Sequence, residues 1–306
     1  MNQVRKKILF TGGSGLLSVN WALIKLEEFD IILGLHNKEI ALPGTSSVKL
    51  NFDNQDLLFK SISELNPDLV IHTAAIANVE ICEYNPLLAE IVNVNYTELI
   101  SKITKILGIK LIHLSTDHLF NGNESLKSEY DIPEPLNVYA KTKLDAECKV
   151  LEFNANALII RTNFYGWGTK YRQSFSDFII KSLRNNSSIE LFNNVYYTPI
   201  LINELVKIAH LLIDFGFSGI YNICSDERIS KLEFGYRLAK VFNLDSLLIK
   251  PIEISKKPNL VKRPFDMSLT NLKIKKDLSI EVLSLDDQLF QLKIDEEVRR
   301  KNLNKL

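Results

Sequence analysis

Tyr139 and Lys143 stand four residues apart in the run NVYAKTKLDAE. On a helix that spacing puts both side chains on one face and turns Lys141 away. A phenol of ordinary pKa, ~10, exchanges protons poorly near neutrality. A cation beside it stabilises the phenolate and brings the value toward working pH, which suits a general acid/base. Upstream, an apolar run ends in Ser115-Thr116-Asp117-His118-Leu119-Phe120, which adds hydroxyls at a strand end. Near the N-terminus another run enters Thr11-Gly12-Gly13-Ser14-Gly15-Leu16-Leu17-Ser18. Glycine permits positive φ and close backbone approach, so the N–H groups of Gly12, Ser14, Gly15 and Leu16 at a helix start can meet a pyrophosphate. The spacing departs from GxGxxG, and Ser18 stands where a third glycine usually packs helix on strand. Serine is small enough to keep that contact.

The second strand ends at Gly34-Leu35-His36-Asn37-Lys38. An NAD site usually places a carboxylate there for the ribose 2′-hydroxyl, whereas a 2′-phosphate is repelled by an acid and drawn to cations. The first acid is Glu39, past the strand end, while His36, Asn37 and Lys38 can face a phosphate. NADP(H) is favoured over NAD(H), and NAD(H) stays open.

These residues need elements to position them. Apolar runs recur at KKILFTG, DIILGLH, SVKLNF, DLVIHTA, KLIHLST and ALIIRTN, separated by segments of helical spacing such as Leu57, Leu58, Ile62, Leu65 and Ile91, Val94, Ile100, Ile103. Runs without polar alternation are strands buried on both faces, and their alternation with helices predicts an α/β fold with a Rossmann-type, doubly wound parallel sheet over residues 1–163. Residues 164–306 read as a smaller, mixed, mostly helical lobe interleaved with the last strands of the sheet. Helices are expected around Phe175–Leu183, Leu205–Phe215 and Leu232–Val241, strands at GIYNIC and LLIKPIE, and one terminal helix over Asp286–Lys305.

Composition narrows the function classes. Lys+Arg and Asp+Glu are 37 each in 306 residues, so no global field draws the chain to nucleic acid or membrane. The start MNQVRKKILFTGG is a strand entering a turn and not a secretory signal, and no run is long enough to span a bilayer, so a cytoplasmic protein is expected. Cys82, Cys148 and Cys224 lack CxxC spacing, and His36, His72, His113 and His210 lack metal-ligand spacing; buried thiols, structural histidines and no metal are expected.

Beyond the individual residues, the chain resembles the extended short-chain dehydrogenase/reductases, and within them the dTDP-4-dehydrorhamnose reductase family, over almost its whole length. TGGSGLL, HTAAIANVEICE, STDHLFNG, NVYAKTKLDAE, IIRTNFYG, YYTPI, GIYNIC and KRPFDMSL carry the resemblance. It implies reduction of a keto group, at carbon 4 of a nucleotide-linked deoxy-sugar, with Tyr139 as proton donor, Lys143 as ribose ligand and tyrosine activator, and Thr116 on the substrate oxygen. It places Ala74 and Ala75 against the cofactor, Asn51 and Phe52 near its adenine, and Asn93 as a support. Val79, Asp117, His118, Phe164 and Trp167 fall on the substrate side. His118 could hydrogen-bond substrate or be a loop residue, and Trp167 could stack on a base or sugar or pack. A homodimer is one assembly open to it.

Dehydratases of this fold carry a glutamate where His118 stands, and fucose-nucleotide synthases a cysteine where Asp117 stands, so simple reduction is expected. The chain also departs from the rhamnose-pathway pattern at three sugar-facing positions, with Ala77 for threonine, His118 for tyrosine and Phe164 for tryptophan. Two rivals are a nucleotide-sugar epimerase and a regulatory protein that keeps the fold, like the regulatory subunit of methionine adenosyltransferase.

Overall fold

The computed structural model describes residues 5–303. Strands β1 (Lys7–Phe10), β2 (Asp30–Leu35), β3 (Ser46–Lys49), β4 (Leu69–His72), β5 (Lys110–Leu114), β6 (Leu158–Arg161) and β7 (Gly219–Asn222) form one sheet. Their order is β7-β6-β5-β4-β1-β2-β3 and every pairing is parallel. All six apolar runs of the first half are strands, and GIYNIC supplies the seventh. The inner runs lack polar alternation because both faces are covered, Ile8 and Phe10 packing with Trp21 and Leu33 while Leu9 packs with Ile32, Val70 and Ile100, whereas the edge strand β3 is exposed at Ser46, Ser47 and Lys49.

Helices α1 (Leu16–Lys25), α2 (Gln55–Leu65), α3 (Val79–Tyr84), α4 (Pro86–Glu90), α5 (Tyr96–Leu107) and α6 (Val138–Phe153) belong to the first half. Between α4 and α5 the chain makes a π-helical turn, Ile91–Asn95, that the sequence did not announce. Helices α7 (Phe175–Arg184), α8 (Ile202–Asp214) and α9 (Lys231–Phe242) follow at the expected places. LLIKPIE forms Ile249–Ile252, paired with Ile189–Phe192 outside the main sheet.

The single terminal helix is corrected to two, α11 (Leu285–Ile294) and α12 (Glu296–Leu303), preceded by a short α10 (Leu272–Leu278). The break falls at Asp295, whose carboxylate accepts from Asn203 and Gln291. Leu289 and Leu292 are buried as expected, Ile294 is exposed, and Lys305 lies outside the described residues. Strand order reverses between β1 and β4, which opens a crevice at the carboxyl ends of the strands, the usual place for a ligand in such sheets.

Candidate active site

The glycine loop runs from β1 into α1. None of Gly12, Gly13 and Gly15 has positive φ, so the freedom invoked from sequence is not what this loop uses. Space is. A Cβ on Gly12 would lie 2.7 Å from the Ala74 nitrogen, and one on Gly13 would lie 2.8 Å from the Leu33 Cβ. Gly15 leaves the N-terminus of α1 without a side-chain cap and with no acid in its first turn, so its N–H groups face outward. Ser18 keeps the helix on the strand: it is fully buried, its hydroxyl 2.7 Å from that of Thr73.

A cleft of about 180 Å³ over the loop is lined by Gly12, Ser14, Gly15, His36, Phe52, Ala74 and Ala75. Phe52 stacks on Tyr96 at 4.6 Å between ring centroids, and His36 meets its edge. His36 also lines a neighbouring groove of about 410 Å³ that holds Glu39 and Lys49. Lys38 lies elsewhere, its ammonium 4.2 Å from the Tyr171 ring centroid, and the Tyr171 hydroxyl donates to the Ser14 carbonyl at 3.0 Å. Asn37 and Asn51 are exposed and line neither cavity; the Asn51 side chain accepts from the Asp53 nitrogen.

A second cleft, about 210 Å³, shares Gly15, Thr73, Ala75 and Arg172 with the first and adds Leu16, Ala77, Ser115, Tyr139, Lys143 and Phe164. Helix α6 starts at Asn137, whose side chain accepts from the Ala140 nitrogen at 2.9 Å, and buries Tyr139, Thr142, Lys143 and Glu147 on one face. Lys141 points out to Asp145, as its spacing required. Asn93, held by the π-helical turn, exchanges hydrogen bonds with Ile76 and donates to the Thr142 hydroxyl at 3.0 Å. The resemblance named Asn93 as a support, and the turn explains how it reaches α6.

Burial pushes the Tyr139 phenol up to about 12; Asp117 and Cys82 act in the same direction and Thr116 in the opposite one. Burial holds Lys143 down to about 8 against the pull of Glu147. The Lys143 ammonium donates to the Leu114 carbonyl at 2.5 Å and lies 3.3 Å from His113 Nε2. It is not among the groups acting on Tyr139, so the expected lowering of the phenol by this cation is not made in this structure. Burial of the ring dominates.

Behind the site, polar groups close on one another. Thr97 donates to the Asn93 carbonyl, so His72 Nε2–H must donate to Thr97 and Nδ1 must accept from Thr11. Burial holds His72 down to about 3, consistent with that neutral ring. Ser115 donates to Glu147, which takes a forked contact from Arg161, all three buried.

On the far side of Tyr139, the His118 ring meets the tyrosine at 5.6 Å, edge to face. Asp117 is buried and accepts from Asn163 at 2.7 Å. Val79 packs in the apolar cluster of Cys82, Ala89 and Tyr139 and does not line either cleft. Of the two roles the sequence left open for Trp167, the structure shows packing and not the substrate side: only 2% exposed, it lines neither cleft, donates to the Leu292 carbonyl at 3.0 Å and meets the Phe242 ring. Sequence reasoning missed Tyr96 and Arg172, which line the clefts, and Tyr171, which reaches the Ser14 carbonyl, all from segments with no local motif.

A glycine loop at the switch point of a doubly wound sheet, with a Tyr-Lys helix beside it, defines an extended short-chain dehydrogenase/reductase fold. Residues 6–294 match the model of the RmlD substrate-binding domain, and the chain belongs to that family. A probable low-salt glycan biosynthesis reductase of Haloferax volcanii is 26% identical over 286 residues, covering 92% of this chain and 95% of that protein. The methionine adenosyltransferase 2 subunit beta of Rattus norvegicus is 28% identical over 264 residues, covering 82% and 77%. The crystal structure of dTDP-4-dehydrorhamnose reductase from Bacillus anthracis in complex with NADP superposes with a TM-score of 0.84 at 21% identity, covering 95% of this chain and all of that one.

Proposed function

We propose that this protein reduces a keto group, at carbon 4 of a nucleotide-linked deoxy-sugar, with NADPH. The observation that carries the reading is one cleft that joins the glycine loop to Tyr139, Lys143 and Ser115, with Thr116 beside the tyrosine. Residues 1–163 would hold the dinucleotide and 164–306 the sugar. The cradle fits such a group: the Cβ-free backbone at Gly12 and the uncapped α1 N-terminus suit a pyrophosphate, and Phe52 with Ala74 and Ala75 suits an adenine and ribose. His36 and Lys49 place hydrogen-bond donors at the strand end beside Glu39, which supports the 2′-phosphate form. When bound, the dinucleotide supplies the hydride.

The protein's own part is the proton. Tyr139, neutral at working pH, gives its phenol proton to the ketone oxygen while Thr116 donates a hydrogen bond to the same atom. Lys143, already aimed along the end of β5, holds the ribose and restores charge balance as the phenolate forms. The relative described as a glycan biosynthesis reductase and the NADP complex of the structural neighbour support this reading.

A second reading, a regulatory subunit without turnover, draws on the likeness to the methionine adenosyltransferase subunit. Incubation with NADPH and a series of nucleotide-linked keto-sugars, including dTDP-4-dehydrorhamnose, separates the two at the nicotinamide absorbance. Oxidation of NADPH with any of them supports reduction. Tight NADPH binding with no turnover on any of them supports the regulatory reading.

A further inference from the structure

Two buried polar groups near Asp117 lack the partners that such groups normally have, and a half-buried ammonium beside them makes no hydrogen bond among the described residues. The Tyr197 side chain is 2% exposed and its hydroxyl has no hydrogen-bond partner among the described residues. His118 Nδ1 is likewise buried and unpartnered. Lys231, the first residue of α9, places its ammonium 3.2 Å from the Tyr197 ring centroid and 5.1 Å from that of Phe175. That ammonium has no carboxylate within ion-pair distance and donates to no protein oxygen among the described residues. The nearby Asp117 carboxylate accepts from Asn163 at 2.7 Å and attracts the Lys231 ammonium without coming within ion-pair distance. The short antiparallel pairing of Ile229–Ser230 with Tyr196–Tyr197 brings Lys231 and Tyr197 together, and the loop after β5 brings His118 and Asp117 to the same place.

A cation resting on aromatic faces, beside a hydroxyl without an acceptor or donor, is incomplete as a structural contact. An acceptor-rich, negatively charged oxygen would complete it. The His118 ring, in contact with Tyr139, ties this cluster to the reacting end of the cleft. We propose that Lys231 and Tyr197 are specificity-determining residues that receive an anionic oxygen of the substrate, either a carboxylate on the sugar or the diphosphate that carries it. This rests on the reading of the substrate as a nucleotide sugar. It assigns the pocket a charge preference that the three departures at Ala77, His118 and Phe164 leave undefined.

The test is calorimetric titration of the intact protein, saturated with NADP⁺, with UDP, dTDP, UDP-glucose and UDP-glucuronate. The last two differ at the sugar by a carboxylate. Lys231→Met should weaken at least one ligand by about tenfold or more, the scale of a lost hydrogen bond to a charged group, with Lys231→Arg closer to the parent. Tyr197→Phe, which keeps the ring under the cation, should weaken the same ligand by several-fold, and it carries the test if Lys231→Met does not fold. A loss confined to UDP-glucuronate assigns the oxygen to the sugar carboxylate, and an equal loss for all four assigns it to the diphosphate. Affinities unchanged in both variants, or no binding of any ligand by the parent, overturn the proposal. Turnover is not read in this experiment, so a protein that binds these ligands but oxidises no NADPH would fail the proposed reaction and leave this inference standing.

Discussion

The two sides of Tyr139 are built differently. Toward the glycine loop, side chains satisfy one another in closed chains: Thr11 to His72 to Thr97 to Asn93, Ser18 with Thr73, and Ser115 with Glu147 and Arg161. Toward residues 164–306, the Tyr197 hydroxyl and His118 Nδ1 have no partner among the described residues, and the Lys231 ammonium rests on the Tyr197 ring. Among the described residues the first side has its own unpartnered atoms, His113 Nδ1 and Arg161 Nη1, each on a group whose other nitrogen is engaged. A closed network fixes geometry for a ligand of constant shape, and open polar groups wait for a ligand that varies. On the reading proposed above, the paired side carries stability and the unpaired side carries selectivity.

The largest effect on that contrast should come from Glu147→Ala. Both Glu147 and Arg161 side chains are 2% exposed, and removing the acid strands a buried guanidinium together with the Ser115 hydroxyl. Chemical denaturation should show a loss of about 3–5 kcal/mol, and adding Arg161→Met should recover part of it. A loss below about 1 kcal/mol would mean the closed side is not the stabilising one.

Next comes the pH dependence. Lys143 sits at about 8 in the folded protein, so its ammonium is present below that pH and lost as pH rises through it. The reduction rate should therefore fall above about pH 8, while Tyr139, near 12, remains protonated. Lys143→Arg should move the falling limb to higher pH, because a guanidinium keeps its charge. A limb that stays in place would assign the titration to another group.

A smaller change is expected at Lys38. It rests on Tyr171 and lines neither the cleft nor the groove of His36, Glu39 and Lys49, so it acts only as the chain neighbour of His36 and Glu39. Lys38→Glu should narrow the preference for NADPH over NADH, read as the ratio of dissociation constants, by placing an acid near the 2′-phosphate. The smallest effect belongs to Trp167→Phe. It removes the hydrogen bond to the Leu292 carbonyl and should cost about 1 kcal/mol of stability, with kcat/KM unchanged. A selective rise in KM would return Trp167 to the sugar site.

The same contrast explains what could be read in advance. Five of the six first-half strands, β1, β2, β4, β5 and β6, were legible because they are buried on both faces and show it as unbroken apolar runs. Tyr139, Lys143 and the glycine loop were legible because helix spacing and loop chemistry are local. Glu147 repeats that spacing four residues after Lys143, an acid on a buried helical face, and was a signal left unused. Tyr171, Arg172, Tyr197 and Lys231 carry no such mark. They matter only because distant segments meet in the folded chain, as Ser230 does with Tyr196. Trp167 stayed open between two roles because an aromatic residue beside glycines reads alike as platform or as core until α11 is seen to cover it.

The central claim is that Tyr139 supplies the proton for a reduction in the cleft it shares with the glycine loop. The direct measurement is NADPH oxidation by the parent and by Tyr139→Phe, with the keto-sugar that the parent turns over best. The variant keeps the ring and its packing against Val79 and Cys82 and loses only the hydroxyl. The account predicts that kcat falls by ~10²–10⁴-fold with NADPH affinity nearly unchanged; a Tyr139→Phe protein that reduces the sugar at the parent's rate would contradict it.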